Sequence, residues 1–246
     1  MPDHRNTVEF LVTGQWALFT DPITKIGGEK FTYSVPTYEA LKGVLSSVYW
    51  KPTFIWVIDA VRVLNPIQTQ SINFKPIKYA ENEAPDLALY TYLKDVAYQV
   101  KAHFVWNLNR PDLLNDRNEN KHHNIAKRMI ERGGRRDVFL GTRECQADVE
   151  PCQFGEGDSA YDNIGEMALG FMFHGFTYGD EAVDPGQRNR ITARFWKPVM
   201  KHGIIEFCPP EACEYTRLIR YNSIKQFGEK WNNFQGLNEF ENEEDL

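Results

Sequence analysis

Apolar side chains recur along the chain at two spacings, every second position and every third to fourth, which together predict an α+β protein. Val8, Phe10 and Val12 stand at alternate positions and predict a first strand running toward Phe19, where Thr20-Asp21-Pro22 breaks it. Ser34-Val35-Pro36-Thr37 supplies hydroxyl caps and an early proline for a helix start. In that helix Leu41, Val44, Leu45 and Val48 fall at i, i+3, i+4 and i+7, a stripe that faces a core. Lys51-Pro52 ends it, because a proline excludes its predecessor from helical geometry, so Tyr49 sits at or near the C-terminal end. Thr53 to Leu64 is a β-branched and aromatic run, a central strand. Pro66 to Pro85 is irregular, with room for a hairpin. Tyr98, Val100, Ala102, Phe104, Trp106 and Leu108 alternate with mainly polar neighbours, as in a strand with one buried face. Asp116-Arg117-Asn118-Glu119 has capping-box spacing, so a second helix is expected to start there or within the next few residues. Ile125, Ala126, Met129 and Ile130 form its buried stripe, Gly133-Gly134 ends it, and Arg136 to Val149 reads as extended.

The resulting order, β-α-β-β-α-β, is that of the ferredoxin-like (RRM-like) split motif, expected over residues 1–150. Beyond it glycines become dense, and strand-like segments around Met167 to Phe176 and Ile191 to Phe207 predict a small antiparallel sheet as a second domain over 151–220. Residues 221–246 are expected to form an acidic tail. The split motif supports many unrelated functions, so function has to come from particular side chains.

Composition adds little to the fold and more to the choice of partner. With 42% apolar and 25% charged residues the chain is an ordinary globular protein, and its 13% aromatics suit both strands and base stacking. No stretch approaches the roughly 20 apolar residues of a membrane helix, and Met1-Pro2-Asp3-His4-Arg5 leads into a strand without a signal-peptide core. A cytoplasmic protein with no membrane partner is expected. Cys145, Cys152, Cys208 and Cys213 include no tight Cys-x-x-Cys pair and read as reduced core thiols, with no metal site expected. The net charge of −6 argues against nucleic acid only as a sum. Five acids crowd Glu239 to Leu246, whereas Arg117 to Arg143 holds eight bases against Glu119, Glu131 and Asp137. A concentrated basic segment binds a phosphate backbone through one face of an acidic protein; its plainer reading is a solvated helix surface.

Phosphate-loop, dinucleotide, zinc-helix and serine-elbow motifs are all absent. What remains is Lys121-His122-His123 at the start of the second helix. Such residues are ordinarily surface groups, but this position is unusual. A helix N-terminus offers free N–H groups and positive dipole charge to a phosphate, and the same field favours a neutral imidazole. A neutral His beside a phosphodiester accepts a proton from a 2′-hydroxyl, and a neighbouring ammonium stabilises charge building on phosphorus. Tyr49 is the third candidate, against the plain reading of a half-buried aromatic at a helix end.

Several stretches together resemble the d-type Cas-five family, the RAMP proteins that process repeat RNA in type I-C CRISPR systems. They are Ala17-Leu18-Phe19-Thr20-Asp21-Pro22, Lys25-Ile26-Gly27-Gly28-Glu29-Lys30, Ser34-Val35-Pro36-Thr37-Tyr38 and Val48-Tyr49-Trp50-Lys51-Pro52-Thr53. Further on come Tyr90-Thr91-Tyr92-Leu93-Lys94-Asp95-Val96, Asn107-Leu108-Asn109-Arg110-Pro111-Asp112-Leu113 and Asp116-Arg117-Asn118-Glu119-Asn120-Lys121-His122. Gly133-Gly134-Arg135-Arg136-Asp137-Val138-Phe139-Leu140-Gly141 completes the set, in order from about residue 8 to about 207. The resemblance implies a ferredoxin-like lobe with a smaller β lobe. It also implies metal-free cleavage of CRISPR precursor RNA at the 3′ base of the repeat stem-loop, giving a 5′-hydroxyl and a 2′,3′-cyclic phosphate. No cofactor is implied.

The family's catalytic tyrosine, lysine and histidine fall on Tyr49, Lys121 and His122, although His123 stands beside the last. The expected roles are general base or proton shuttle for His122, charge stabiliser for Lys121, and base or orienting group for Tyr49. After cleavage such a protein stays on the 5′ handle of the mature crRNA, beside the backbone and large subunits of the type I-C surveillance complex. Lys25, Lys30, Arg135, Arg136 and Arg143 are the expected phosphate contacts. A non-catalytic scaffold that holds the handle is the main rival. A metal-dependent DNA nuclease lacks the compact Asp/Glu cluster that two-metal chemistry needs.

Overall fold

Alternation puts Val8, Phe10 and Val12 of strand β1 (Val8–Ala17) into the core. The computed structural model describes residues 4–22, 24, 29–75 and 87–222; Lys25 and residues 223–246 of the expected tail lie outside them. β1 pairs antiparallel with β5 (Ala88–Trp106), Phe10 facing Val100. On the far side of β5 lies β3 (Phe54–Val63), Phe54 facing Trp106, and on the far side of β1 lies β7 (Gln146–Pro151). The order β7-β1-β5-β3 is therefore antiparallel throughout. Helix α1 (Tyr38–Val48) connects toward β3, and helix α2 (Glu119–Glu131) toward β7. The fold is α+β, mostly antiparallel sheet with few helices. Phe54, Trp56 and Ile58 of β3 join Leu41, Val44, Leu45 and Val48 of α1 in one core.

Local chemistry sets the helix ends. The Thr37 hydroxyl accepts from the Ala40 N–H to cap α1. α2 is capped by the side chain of Asn118, which accepts from the Lys121 N–H at 3.0 Å, two residues beyond the Asp116 of the capping-box spacing. Asp116 instead ends the 3-10 turn Pro111–Asp116, and Arg117 (ψ 76°) leaves helical geometry before α2 begins. After α2, Gly133 and Gly134 take positive φ, and their N–H groups reach back to Ile130 and Met129.

Two stretches differ from the sequence pattern. β5 begins at Ala88 rather than Tyr98, because β4 (Thr69–Phe74) pairs antiparallel along its first half and β2 (Lys30–Phe31) pairs parallel with Tyr90 and Thr91. The extended segment after Arg136 is two strands, β6 (Val138–Phe139) and β7, folded at Gly141. A Cβ there would stand 2.0 Å from the Leu18 carbonyl oxygen, so only glycine fits.

Residues beyond 151 are divided between two sheets rather than gathered into one. β8 (Glu166–Ala168), β11 (Val199–Lys201) and β12 (Ile204–Glu206) extend the main sheet, with Ile205 facing Val61 of β3. β9 (Met172–Thr177), β10 (Arg190–Trp196) and β13 (Tyr215–Tyr221) form a separate three-stranded sheet. His202 and Gly203, both at positive φ, make the tight turn that folds β12 back against β11. Among the described residues no helix is long and apolar enough to cross a membrane.

Candidate active site

Tyr49 follows the last residue of α1, where its N–H still donates to Leu45 but its own φ and ψ (−158°, 127°) are extended. The turn out of the helix is fixed from behind, since the Trp56 indole donates to the Tyr49 carbonyl at 2.7 Å. His122 lies in the first turn of α2 and shares a buried stripe with Ala126 and Ile130, at i, i+4 and i+8. Lys121, one position earlier and about 100° round the helix, is exposed. His123 lies to the other side, where its Nε2 donates to the Thr7 carbonyl at 2.9 Å. Helix periodicity thus separates the two histidines and turns only His122 toward Tyr49.

The Tyr49 hydroxyl and His122 Nδ1 are 2.8 Å apart. His122 Nε2 lies 2.7 Å from the backbone carbonyl oxygen of Asp116. A carbonyl only accepts, so Nε2 carries a proton; in the neutral ring Nδ1 then holds the lone pair and the Tyr49 hydroxyl donates to it. The imidazole is fully buried, walled by Phe54, Phe104 and Trp106 at ring-centroid distances of 5.3, 6.3 and 5.9 Å. Tyr49 is 4% exposed. Burial, then the negative charge of Asp116, pushes its hydroxyl up to about 12, partly opposed by Arg135. It is therefore a neutral phenol near pH 7.

Asp116 joins the remaining parts. One carboxylate oxygen accepts from Lys121 Nζ at 2.6 Å and the other from the Thr53 hydroxyl at 2.7 Å. Those two hydrogen bonds, Lys121 first, hold its carboxyl below the usual range. Thr53 is anchored in turn, its carbonyl accepting from the Asn107 N–H at 2.9 Å. Asp116 and Thr53 were within reach of the sequence, both standing inside matched stretches. The capping-box spacing gave Asp116 a different job, and nothing marked Thr53.

The structure brings Tyr49, His122 and, through Asp116, Lys121 into one cluster. Arg135 and Arg136 are beside it, for their N–H groups donate to Val48 and Ser47 at the end of α1 and their side chains are exposed. Arg143 is exposed on the turn between β6 and β7. Lys30 lies apart, its ammonium 4.6 Å above the Tyr90 ring, sixteen residues along β5 from Trp106. Arg117, counted in the basic segment, is taken into the loop before α2 and donates to the Asn107 and Arg110 carbonyls. Among the described residues, the groupings of His, Cys, Asp and Glu close enough to share an ion are His174–Cys208–Cys213 and His4–Asp59–His103, neither of them here.

The fold and site define an antiparallel α+β protein with a basic helix and a buried tyrosine–histidine pair beside a lysine. Comparison with known proteins makes the class specific. The family model Cas_Cas5d, CRISPR-associated protein (Cas_Cas5), matches residues 7–208, and the chain belongs to this Cas5d family. A relative from Mannheimia succiniciproducens, named CRISPR pre-crRNA endoribonuclease Cas5d, is 29% identical over 242 residues, covering 86% of this chain and 99% of the relative. One of the same name from Thermus thermophilus is 30% identical over 151 residues, 57% of this chain and 62% of that one. A solved structure described as a CRISPR-associated protein superposes with a TM-score of 0.69 at 37% identity, covering 86% and 96% of the two chains. A functionally uncharacterized Streptococcus mutans protein does so at 0.69 and 38%, with the same coverage.

Proposed function

We propose that this chain is a metal-independent endoribonuclease that cuts CRISPR precursor RNA at the 3′ base of the repeat stem-loop. The observation that carries the proposal is the chain Tyr49 hydroxyl, His122 Nδ1, His122 Nε2, Asp116 carbonyl, which orients the ring with Nδ1 toward the tyrosine. Both ring nitrogens are engaged, so the substrate meets Tyr49 first. The RNA 2′-oxygen attacks the adjacent phosphorus as its proton passes to the Tyr49 oxygen and the Tyr49 proton passes to His122 Nδ1. Lys121 exchanges Asp116 for a non-bridging phosphate oxygen and offsets the charge that builds there. The bond to the 5′-oxygen breaks, that oxygen takes a proton from solvent, and a 2′,3′-cyclic phosphate remains. Only Asp116 supplies a carboxylate among the contacts described around the pair, and its oxygens are already engaged, which favours the metal-free route.

The sheet order β7-β1-β5-β3, with a helix after β1 and another after β5, supports reading residues 1–150 as a ferredoxin-like lobe. The names of the two relatives support precursor crRNA as the substrate. The family resemblance adds retention on the 5′ handle beside the backbone and large subunits of a type I-C surveillance complex. A second reading, a scaffold that holds the handle without cutting, is favoured by one observation: every polar atom of the His122 ring is already satisfied inside the protein. Single-turnover cleavage of labelled repeat RNA separates the two. His122→Ala and Tyr49→Phe are each expected to slow cleavage at least about a hundredfold while leaving RNA affinity little changed. Undiminished cleavage in either variant contradicts the relay.

A further inference from the structure

At the opposite end of α1 from Tyr49, roughly 16 Å away at about 1.5 Å per residue, a second group of reactive side chains converges. His174 of β9 is fully buried beneath the Tyr38 ring, with centroids 4.4 Å apart. Cys208 and Cys213 flank the 3-10 turn Pro210–Ala212, and their sulfurs are 3.6 Å apart. One ligand atom from each of the three residues lies within 4.8 Å of the others. All four cysteines of the chain are free thiols.

We propose that His174, Cys208 and Cys213 form a zinc site that clamps the three-stranded sheet to the main sheet. The proposal does not depend on the RNA-cleaving reading. Two thiolates each about 2.3 Å from a tetrahedral zinc stand about 3.8 Å apart, close to the spacing seen and far from the roughly 2.0 Å of a disulfide. The histidine is oriented as metal ligands usually are: one nitrogen, Nε2, lies 3.1 Å from the Cys208 carbonyl oxygen and donates to it. That leaves the Nδ1 lone pair for the ion. Its present neighbour is Arg194 Nε at 3.5 Å, a long contact from a guanidinium already held by the Thr177 hydroxyl at 2.6 Å. The metal takes Nδ1, and Arg194 remains beside the thiolates as part of their charge balance. Sulfur and imidazole donors select zinc over magnesium or calcium.

The position gives the ion a task. β9 belongs to the small sheet, whereas the Cys208–Cys213 turn continues from β12 of the main sheet, where the Phe207 N–H donates to the Asp59 carbonyl at 2.9 Å. Ligation thus ties two sheets across the N-terminal end of α1. Tyr38, Trp196 and Phe207 pack around His174 and keep the site dry on that side. On the other, Arg194, Phe207 and Pro209 border a cavity of about 680 Å³, the side from which a fourth ligand would come.

The test is metal content of the untagged full chain expressed with zinc in the medium. Stoichiometric zinc is expected in the parent, with at least a hundredfold weaker binding in Cys208→Ser, beyond the roughly 10–100-fold that outer-shell changes cost. Titrating the metal-stripped parent with Co²⁺ gives a readout that needs no variant to fold: a thiolate-to-cobalt charge-transfer band is expected. Zinc far below stoichiometry, absence of that band, or a Cys208–Cys213 disulfide in freshly purified protein each overturns the proposal.

Discussion

Asp116 holds the candidate active site at three points, its carbonyl fixing the His122 tautomer and its two carboxylate oxygens taking Lys121 and Thr53. Its depressed carboxyl links folding to pH in one direction. A group whose folded value lies below its unfolded value of about 3.9 stabilises the protein above that pH and loses its contribution as pH falls through the folded value. Asp116→Asn keeps the carbonyl and an acceptor for Thr53 while removing the charge. It is expected to melt below the parent at neutral pH, and the gap is expected to narrow as melts are run progressively below the unfolded value of about 3.9. A gap independent of pH would mean the carboxylate contributes through packing alone. At this scale the sequence was informative about which residues matter and silent about their contacts. Periodicity placed Tyr49 at a helix end and His122 in a first turn. Their 2.8 Å contact spans 73 positions and depends on how the sheet brings α1 and α2 together, which no local pattern encodes.

Among elements, α2 carries the most of the site, and its first turn is set by one side chain, Asn118. Asn118→Ala is expected to cost about 1 kcal/mol of stability, read as a lower denaturation midpoint. It should also slow cleavage more than it weakens RNA binding, because Lys121 and His122 lose their fixed start. A stability loss with unchanged cleavage would show that packing along Ala126 and Ile130 fixes the turn by itself. Long periodic elements were legible: α1, β3 and the core half of β5 fall where alternation and the apolar stripe put them. The short strands β11 and β12 were not assignable to a sheet, since three residues carry too little alternation to choose between them. The start of α2 falls within the few residues expected, but its cap was open, for Asp, Arg, Asn and Glu in succession offer two caps and only the backbone at Arg117 decides.

For the whole molecule, charge placement matters more than its sum. The chain is acidic overall, yet Lys121, Lys127, Arg128, Arg132, Arg135, Arg136 and Arg143 are all exposed on α2 and the segment that follows it. Arg135 and Arg136 flank Tyr49 without an ion-pair partner among the described residues. Reversing both to Glu is expected to weaken repeat-RNA binding and to flatten its salt dependence by roughly 0.7 in log–log slope for each phosphate no longer neutralised. An unchanged slope would move the RNA path to another face. The central claim, cleavage by the RNA's own 2′-hydroxyl through Tyr49 and His122, is tested most directly by incubating the protein with repeat RNA in excess EDTA. A matched RNA carries a single 2′-deoxy substitution at the cut site, and RNA binding is followed in the same buffer to confirm that the fold persists. The account predicts cleavage of the all-ribose RNA, none of the deoxy RNA, and equal binding of both. Binding without cleavage of either RNA, or cleavage that survives the deoxy substitution, would contradict it.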